Sequence, residues 1–202
     1  MEEQAKHGTD GTKSHFFAWL FRMRYIRRWA LMRNTASENV LEHTCETAAI
    51  AHALAVIRNR IFGGDADPGA AAAAALYHDA PEIFTGDLPT PIKYNGSAIR
   101  EAYKAIEQRA AHRLLDTLPE SLRADFAPYL TETPPETAVL VRAADKLSAY
   151  IKCVEERKAG NGEFRKAEEQ TRAALEEMDL PEVRYFLDVF LDSFSLSLDE
   201  LR

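Results

Sequence analysis

Residues 70–82 read AAAAAALYHDAPE, and the fold turns on how this stretch is read. Six consecutive alanines, Ala70–Ala75, favour helix and keep it slim enough for neighbouring helices to approach closely. The run ends in Leu76-Tyr77-His78-Asp79, which sets an imidazole beside a carboxylate at the end of a helix. On either side, prolines and glycines cluster as punctuation at Gly63-Gly64 to Pro68, Gly86 to Pro91, Pro119, Pro134-Pro135, Gly160 to Gly162 and Pro181. Stretches of helical length lie between these breaks. No segment alternates with period two while rich in Val, Ile and Thr, so no sheet is expected. The expectation is one all-α domain over residues 15–202, preceded by a disordered lead-in over residues 1–14.

Two further helices bear on chemistry. One begins near Asn39, where Asn39 and Glu42 have capping-box spacing. His43, Thr47, Ile50, Leu54 and Ile57 then recur at helical intervals, so His43 heads a largely apolar face. The other follows Pro135 and carries Leu140, Ala144, Leu147 and Ile151 as a core stripe, with Asp145 beside it. A histidine on an apolar face is more often a satisfied core residue than a ligand. Aspartate is rarely buried without a partner, which leaves a cap, a distant arginine or a metal for Asp145. Two histidines and two aspartates would form a mixed nitrogen and oxygen donor set that neutralises a dication and leaves coordination positions open.

Composition narrows the function. The 202 residues carry 32 acids against 25 Lys and Arg, a net charge of −7, which argues against a general nucleic-acid binder. The segment Arg22–Arg33 opposes that trend with five arginines (Arg22, Arg24, Arg27, Arg28 and Arg33) and no acid. It reads as a solvated face, as an anionic-polymer or membrane patch, or as the source of one phosphate clamp. The two cysteines, Cys45 and Cys153, allow at most one bridge, and reduced thiols in a cytoplasmic protein are the expectation. No apolar run reaches the length of a membrane span, so no membrane partner is expected.

The ordered set His43, His78-Asp79 and Asp145, with separations of 35 and 66 residues, resembles the HD-domain superfamily of metal-dependent phosphohydrolases. The segments HFFAWLFRMRYIRRWALMRN, ENVLEHT, ALYHDAPEIFTGDLPTPIKY and SFSLSLDEL look like the bacterial HD-domain 5′-deoxynucleotidases, from about His15 to the C-terminus. The resemblance implies a single HD-domain helical bundle in which His43, His78, Asp79 and Asp145 bind one divalent ion. It implies cobalt, with manganese or copper as substitutes, and a homodimer. Glu82 and Arg28 are implied as catalytic, Arg28 also orienting the phosphate and Trp29 lying at the sugar. Asp87, Leu88, Pro89 and Thr90 match a substrate-contacting loop, and His43, Asp79 and Asp145 would also meet the substrate.

The residue chemistry is compatible with these roles. If helix continued past Asp79, Glu82 would lie over both His78 and Asp79, although Pro81 stands in the way. The implied activity is hydrolysis of 2′-deoxynucleoside 5′-monophosphates to deoxynucleoside and phosphate by a metal-activated water. Two alternatives use the same residues: an HD-domain hydrolase of a cyclic dinucleotide, alarmone or triphosphate, and a non-catalytic nucleotide sensor.

Overall fold

The computed structural model describes residues 13–89 and 96–201. Residues 1–12 of the expected lead-in, and Thr90, lie outside the described residues. Within the lead-in, the Ser14 hydroxyl donates to the carbonyl of Thr117 at 2.7 Å. Among the described residues there is no strand, only one isolated antiparallel bridge between Arg27 and Asn39. The helices are α1 (Phe16–Leu20), α2 (Val40–Phe62), α3 (Pro68–Tyr77), α4 (Glu82–Thr85) and α5 (Ser97–Leu115), then α6 (Glu120–Leu130), α7 (Pro135–Lys158), α8 (Arg165–Glu177) and α9 (Pro181–Phe190). Short 3-10 turns extend α1 over Phe21–Tyr25 and α9 over Leu191–Ser195.

The breaks fall where proline and glycine place them. Asn39 Oδ1 accepts from the Leu41 and Glu42 amides, and Glu42 Oε2 accepts from the Asn39 amide, completing the capping box that opens α2. The helix closes at Gly63, whose φ of 71° is the left-handed conformation that glycine adopts without strain. Asp67 caps α3 through the Ala70 amide, with Pro68 in its first turn. The buried alanines Ala71, Ala74 and Ala75 let α3 sit tightly against α2 and α7.

The main core joins α2, α3, α7, α8 and α9 and contains the expected stripes Ile50, Leu54, Ile57 and Leu140, Ala144, Leu147, Ile151. A second cluster of Phe16, Leu20, Met23, Val40, Ala80, Leu114 and Leu118 lies under α1 and α5. Helix α2 contributes to both, and His43 follows Val40 by one turn at the seam between them. By length and composition α2 could cross a membrane, but 56% of its apolar window is buried inside this fold.

One buried ion pair ties the loop before α2 to the far end of α7. Glu156, 1% exposed, accepts from Lys152, from the amides of Thr35 and Ala36, from the Thr35 hydroxyl and from Asn161. Lys152 also donates to the Ala36 carbonyl at 2.6 Å. Burial alone would raise the Glu156 carboxyl, yet these donors, Lys152 foremost, hold it down at about 2 against an ordinary 4.5. A lowered carboxyl stabilises the fold fully above pH 4.5, and that contribution disappears as pH falls towards 2. Glu156→Ala should therefore cost about 3 kcal/mol in urea unfolding at neutral pH, because Lys152 is left buried without its main partner. The variant should also lose stability less steeply than the native chain between pH 4.5 and 2.

Candidate metal and phosphate site

The Ala70–Tyr77 helix does not continue to Glu82. It ends at Tyr77, and α4 begins at Glu82. Proline at 81 has no N–H and disfavours helical conformation in the residue before it. The chain instead makes a tight turn, with the Ala80 amide bonded to the Tyr77 carbonyl and the Glu82 amide to the Asp79 carbonyl, both at 3.0 Å. Helix neighbours would point about 100° apart. Here His78 Nε2 and Asp79 Oδ2 come within 3.1 Å of each other. The helix thus restarts after Pro81, the alternative that the proline itself raised, and does not run on through Glu82. Glu82 heads the next helix and is 5% exposed.

The four residues brought together are those the sequence singled out. His43 Nε2 lies 3.1 Å from Asp145 Oδ1 and 3.6 Å from Asp79 Oδ2. One donor atom each from His43, His78 and Asp145 fall within 4.8 Å of one another. Asp79 completes the cluster and shares Oδ2 with Arg28 Nη1 at 3.4 Å. His43 is fully buried, whereas the Asp145 side chain is 40% exposed, so the cluster is walled on the protein side and open towards Asp145.

Partner atoms fix both rings. His78 Nδ1 faces the Ala75 carbonyl at 2.7 Å, which can only accept, so Nδ1 carries the proton. His78 Nε2 is buried and faces the cluster, 3.1 Å from Asp79 Oδ2. His43 Nδ1 lies 3.1 Å from the Ser148 hydroxyl and 3.4 Å from Glu38 Oε1, which directs Nε2 towards the aspartates. Two imidazole lone pairs and two carboxylates at these separations suit a borderline divalent ion.

Electrostatics point the same way. Burial would lower His78, but Asp79 beside it drives the ring up to about 9. Burial would raise Asp145, and the His43 ring outweighs it, holding the carboxyl at about 2; Asp79 is lowered too, mainly by His78. The cluster thus draws positive charge into itself. These residues would accept a dication in place of the histidine protons.

Arg28 closes one wall. Burial lowers its pKa and the carboxylates of Asp79, Asp145, Glu38 and Asp87 raise it, with a net increase. Asp87 thus lies near enough to Arg28 for its charge to be felt there, and Leu88 and Pro89 continue that segment half-buried. Trp29 adopts φ 54°, a left-handed conformation rare for a bulky residue. Its ring centroid packs 5.3 Å from that of Phe164, and its Nε1 donates to Glu38. Of the other arginines, Arg33 pairs with Glu163 at 2.6 Å, Arg22 lies over the Tyr25 ring and Arg24 over the Phe21 ring. The sequence reading assigned nothing to Glu38 or Ser148. Glu38 stands five residues before His43, just ahead of the capping asparagine, and that placement was the available signal.

Comparison with known proteins matches this arrangement. A family model described as 5′-deoxynucleotidase YfbR-like matches residues 15–194. The 5′-deoxynucleotidase of Vibrio cholerae is 51% identical over 192 residues, covering 94% of this chain and 98% of its own. The 5′-deoxynucleotidase YfbR of Escherichia coli is 51% identical over 191 residues, covering 94% and 96%. Among solved structures, an HD-domain phosphohydrolase from Listeria innocua superposes with a TM-score of 0.76 at 23% identity, covering 89% of this chain and 88% of that one. The cyanophage S-2L HD phosphohydrolase DatZ, bound to dA and one catalytic Zn2+, superposes with a TM-score of 0.60 at 20% identity, covering 88% and 95%. These two likenesses establish the HD-domain fold. Matched over nearly its whole length in both sequence and fold, the chain belongs to the YfbR-like 5′-deoxynucleotidase family.

Proposed function

We propose that the protein hydrolyses 2′-deoxynucleoside 5′-monophosphates to deoxynucleoside and inorganic phosphate. The observation that carries this reading is the convergence of His43, His78, Asp79 and Asp145 beside Arg28, in a chain half identical to 5′-deoxynucleotidases. The four residues would hold one divalent ion, which when bound would polarise the phosphate and lower the pKa of water. Arg28 supplies a fixed cation for the phosphate oxygens, whose planar fork matches two of them. Glu82 handles the proton, taking it from the attacking water or giving it to the leaving 5′-oxygen. No Ser or Cys nucleophile is required, so phosphate goes directly to water.

Trp29 meets the sugar and disfavours a 2′-hydroxyl by crowding. Asp87, Leu88 and Pro89 form the rim on the substrate side. His43, Asp79 and Asp145 meet the phosphate as well as the ion. Cobalt is the proposed ion, with manganese or copper able to substitute, since imidazole and carboxylate donors accept all three. Residues 15–202 act as one catalytic unit, assembled as a homodimer. The unpaired thiols of Cys45 and Cys153 fit a reducing cytoplasm.

The experiment is phosphate release from dAMP and from AMP by the cobalt-loaded protein. Faster release from dAMP, by about 10²-fold, is expected if crowding rejects the 2′-hydroxyl. Equal rates on both would overturn the sugar selection, and no release from either would overturn the nucleotidase reading.

A further inference from the structure

Three nitrogens of the proposed site surround one buried carboxylate, one through a hydrogen bond and two at ion-pair distance. Glu38 Oε2 accepts from Trp29 Nε1 at 3.0 Å. Its Oε1 lies 3.2 Å from Arg28 Nε and 3.4 Å from His43 Nδ1. The Glu38 carbonyl also accepts from the Arg28 amide at 3.0 Å, beside the bridge between Arg27 and Asn39, so backbone and side chain hold the same segment. A glutamate carboxylate paired in this way offers acceptor oxygens only. Trp29 needs such a hold, because its left-handed backbone persists only where the surroundings impose it.

We propose that Glu38 is a positioning residue that couples metal loading to sugar selection, one carboxylate aiming the ring of His43 at the ion and the indole of Trp29 at the sugar. The proposal rests on the nucleotidase reading above. Its chemistry is specific to a carboxylate, which has two acceptor oxygens for three donors. Glutamine has one. With its oxygen in the Oε1 position, Glu38→Gln keeps Arg28 and His43 but turns an NH2 group against Trp29 Nε1–H. The opposite setting would confront two donors instead of one, so the first is favoured.

The two substitutions at Glu38 therefore have different signatures. Glu38→Gln should keep Co2+ affinity near the native value by calorimetry, while the dAMP-to-AMP ratio of kcat/KM falls about 10-fold. Glu38→Ala removes both oxygens, leaving His43 Nδ1 with the Ser148 hydroxyl alone, and should lower Co2+ affinity about 10-fold or more as well. A residue that only supports the fold would depress both substrates together and leave the ratio alone. Trp29 fluorescence, isolated by Trp19→Phe, gives a readout independent of turnover and of whether Glu38→Ala folds. The emission should shift in Glu38→Gln. An unchanged ratio with unchanged emission in Glu38→Gln, or native Co2+ affinity in folded Glu38→Ala, would overturn the proposal. Failure of the native protein to bind Co2+ or release phosphate from dAMP would instead overturn the nucleotidase reading, and the emission comparison would still test the hold of Glu38 on Trp29.

Discussion

Glu82→Gln should lower kcat for phosphate release from dAMP by about 10²- to 10⁴-fold while leaving Co2+ binding near native. Glutamine preserves the shape of a side chain that is 5% exposed, so the loss reports proton handling more than packing. The placement follows from the break at Pro81, which starts α4 at Glu82 and leaves His78 and Asp79 on the turn before it. Glu82 thus comes from a different element than the proposed ligands, three residues after Asp79. Single-turnover phosphate release and Co2+ calorimetry on the same preparation check the prediction. Native kcat in Glu82→Gln would remove it from the chemistry, whereas lost Co2+ binding would make it part of the ion site.

Asp79→Ala should have the broadest effect of any single substitution. Asp79 Oδ2 faces His78, His43 and Arg28 at 3.1, 3.6 and 3.4 Å, so its removal strips a proposed ligand and leaves the buried Arg28 guanidinium with Glu38 as its remaining ion pair. Co2+ affinity should fall by more than the roughly 10- to 100-fold typical of changes to groups that only orient ligands. Stability provides a second reading. An ion that binds only the folded chain stabilises it by about 2.7 kcal/mol at one hundred times its Kd. The native melting temperature should therefore rise on adding Co2+, and that of Asp79→Ala should stay flat. Equal Co2+-dependent shifts in both proteins would exclude Asp79 from the site.

The helical architecture was legible because its punctuation is local. Asn39 and Glu42 form the capping box their spacing implies, Gly63 ends α2, and the apolar stripes of α2 and α7 are buried as their periodicity requires. The four ligand candidates were legible because a buried carboxylate needs a partner and the HD dipeptide supplied one. What periodicity could not provide was the turn at His78–Pro81. A helical template sets neighbours apart, whereas i to i+3 bonding brings His78 and Asp79 into one cluster. Glu38 and Ser148 also escaped notice, since their roles depend on atoms from Arg28, Trp29 and His43 that meet only after folding. The arginine-rich stretch resolved only in part. Arg28 enters the site, Arg33 pairs with Glu163, and Arg27 remains exposed with no role that the structure explains.

The central claim is that one divalent ion at His43, His78, Asp79 and Asp145 enables release of phosphate from a deoxynucleoside monophosphate. Titrating Co2+ into chelator-stripped protein, with phosphate release from dAMP as the readout, tests it most directly. Negligible release is expected without metal, with a rise that levels off at one ion per chain. Full-rate release from the stripped protein, or none after Co2+ saturation, would contradict it.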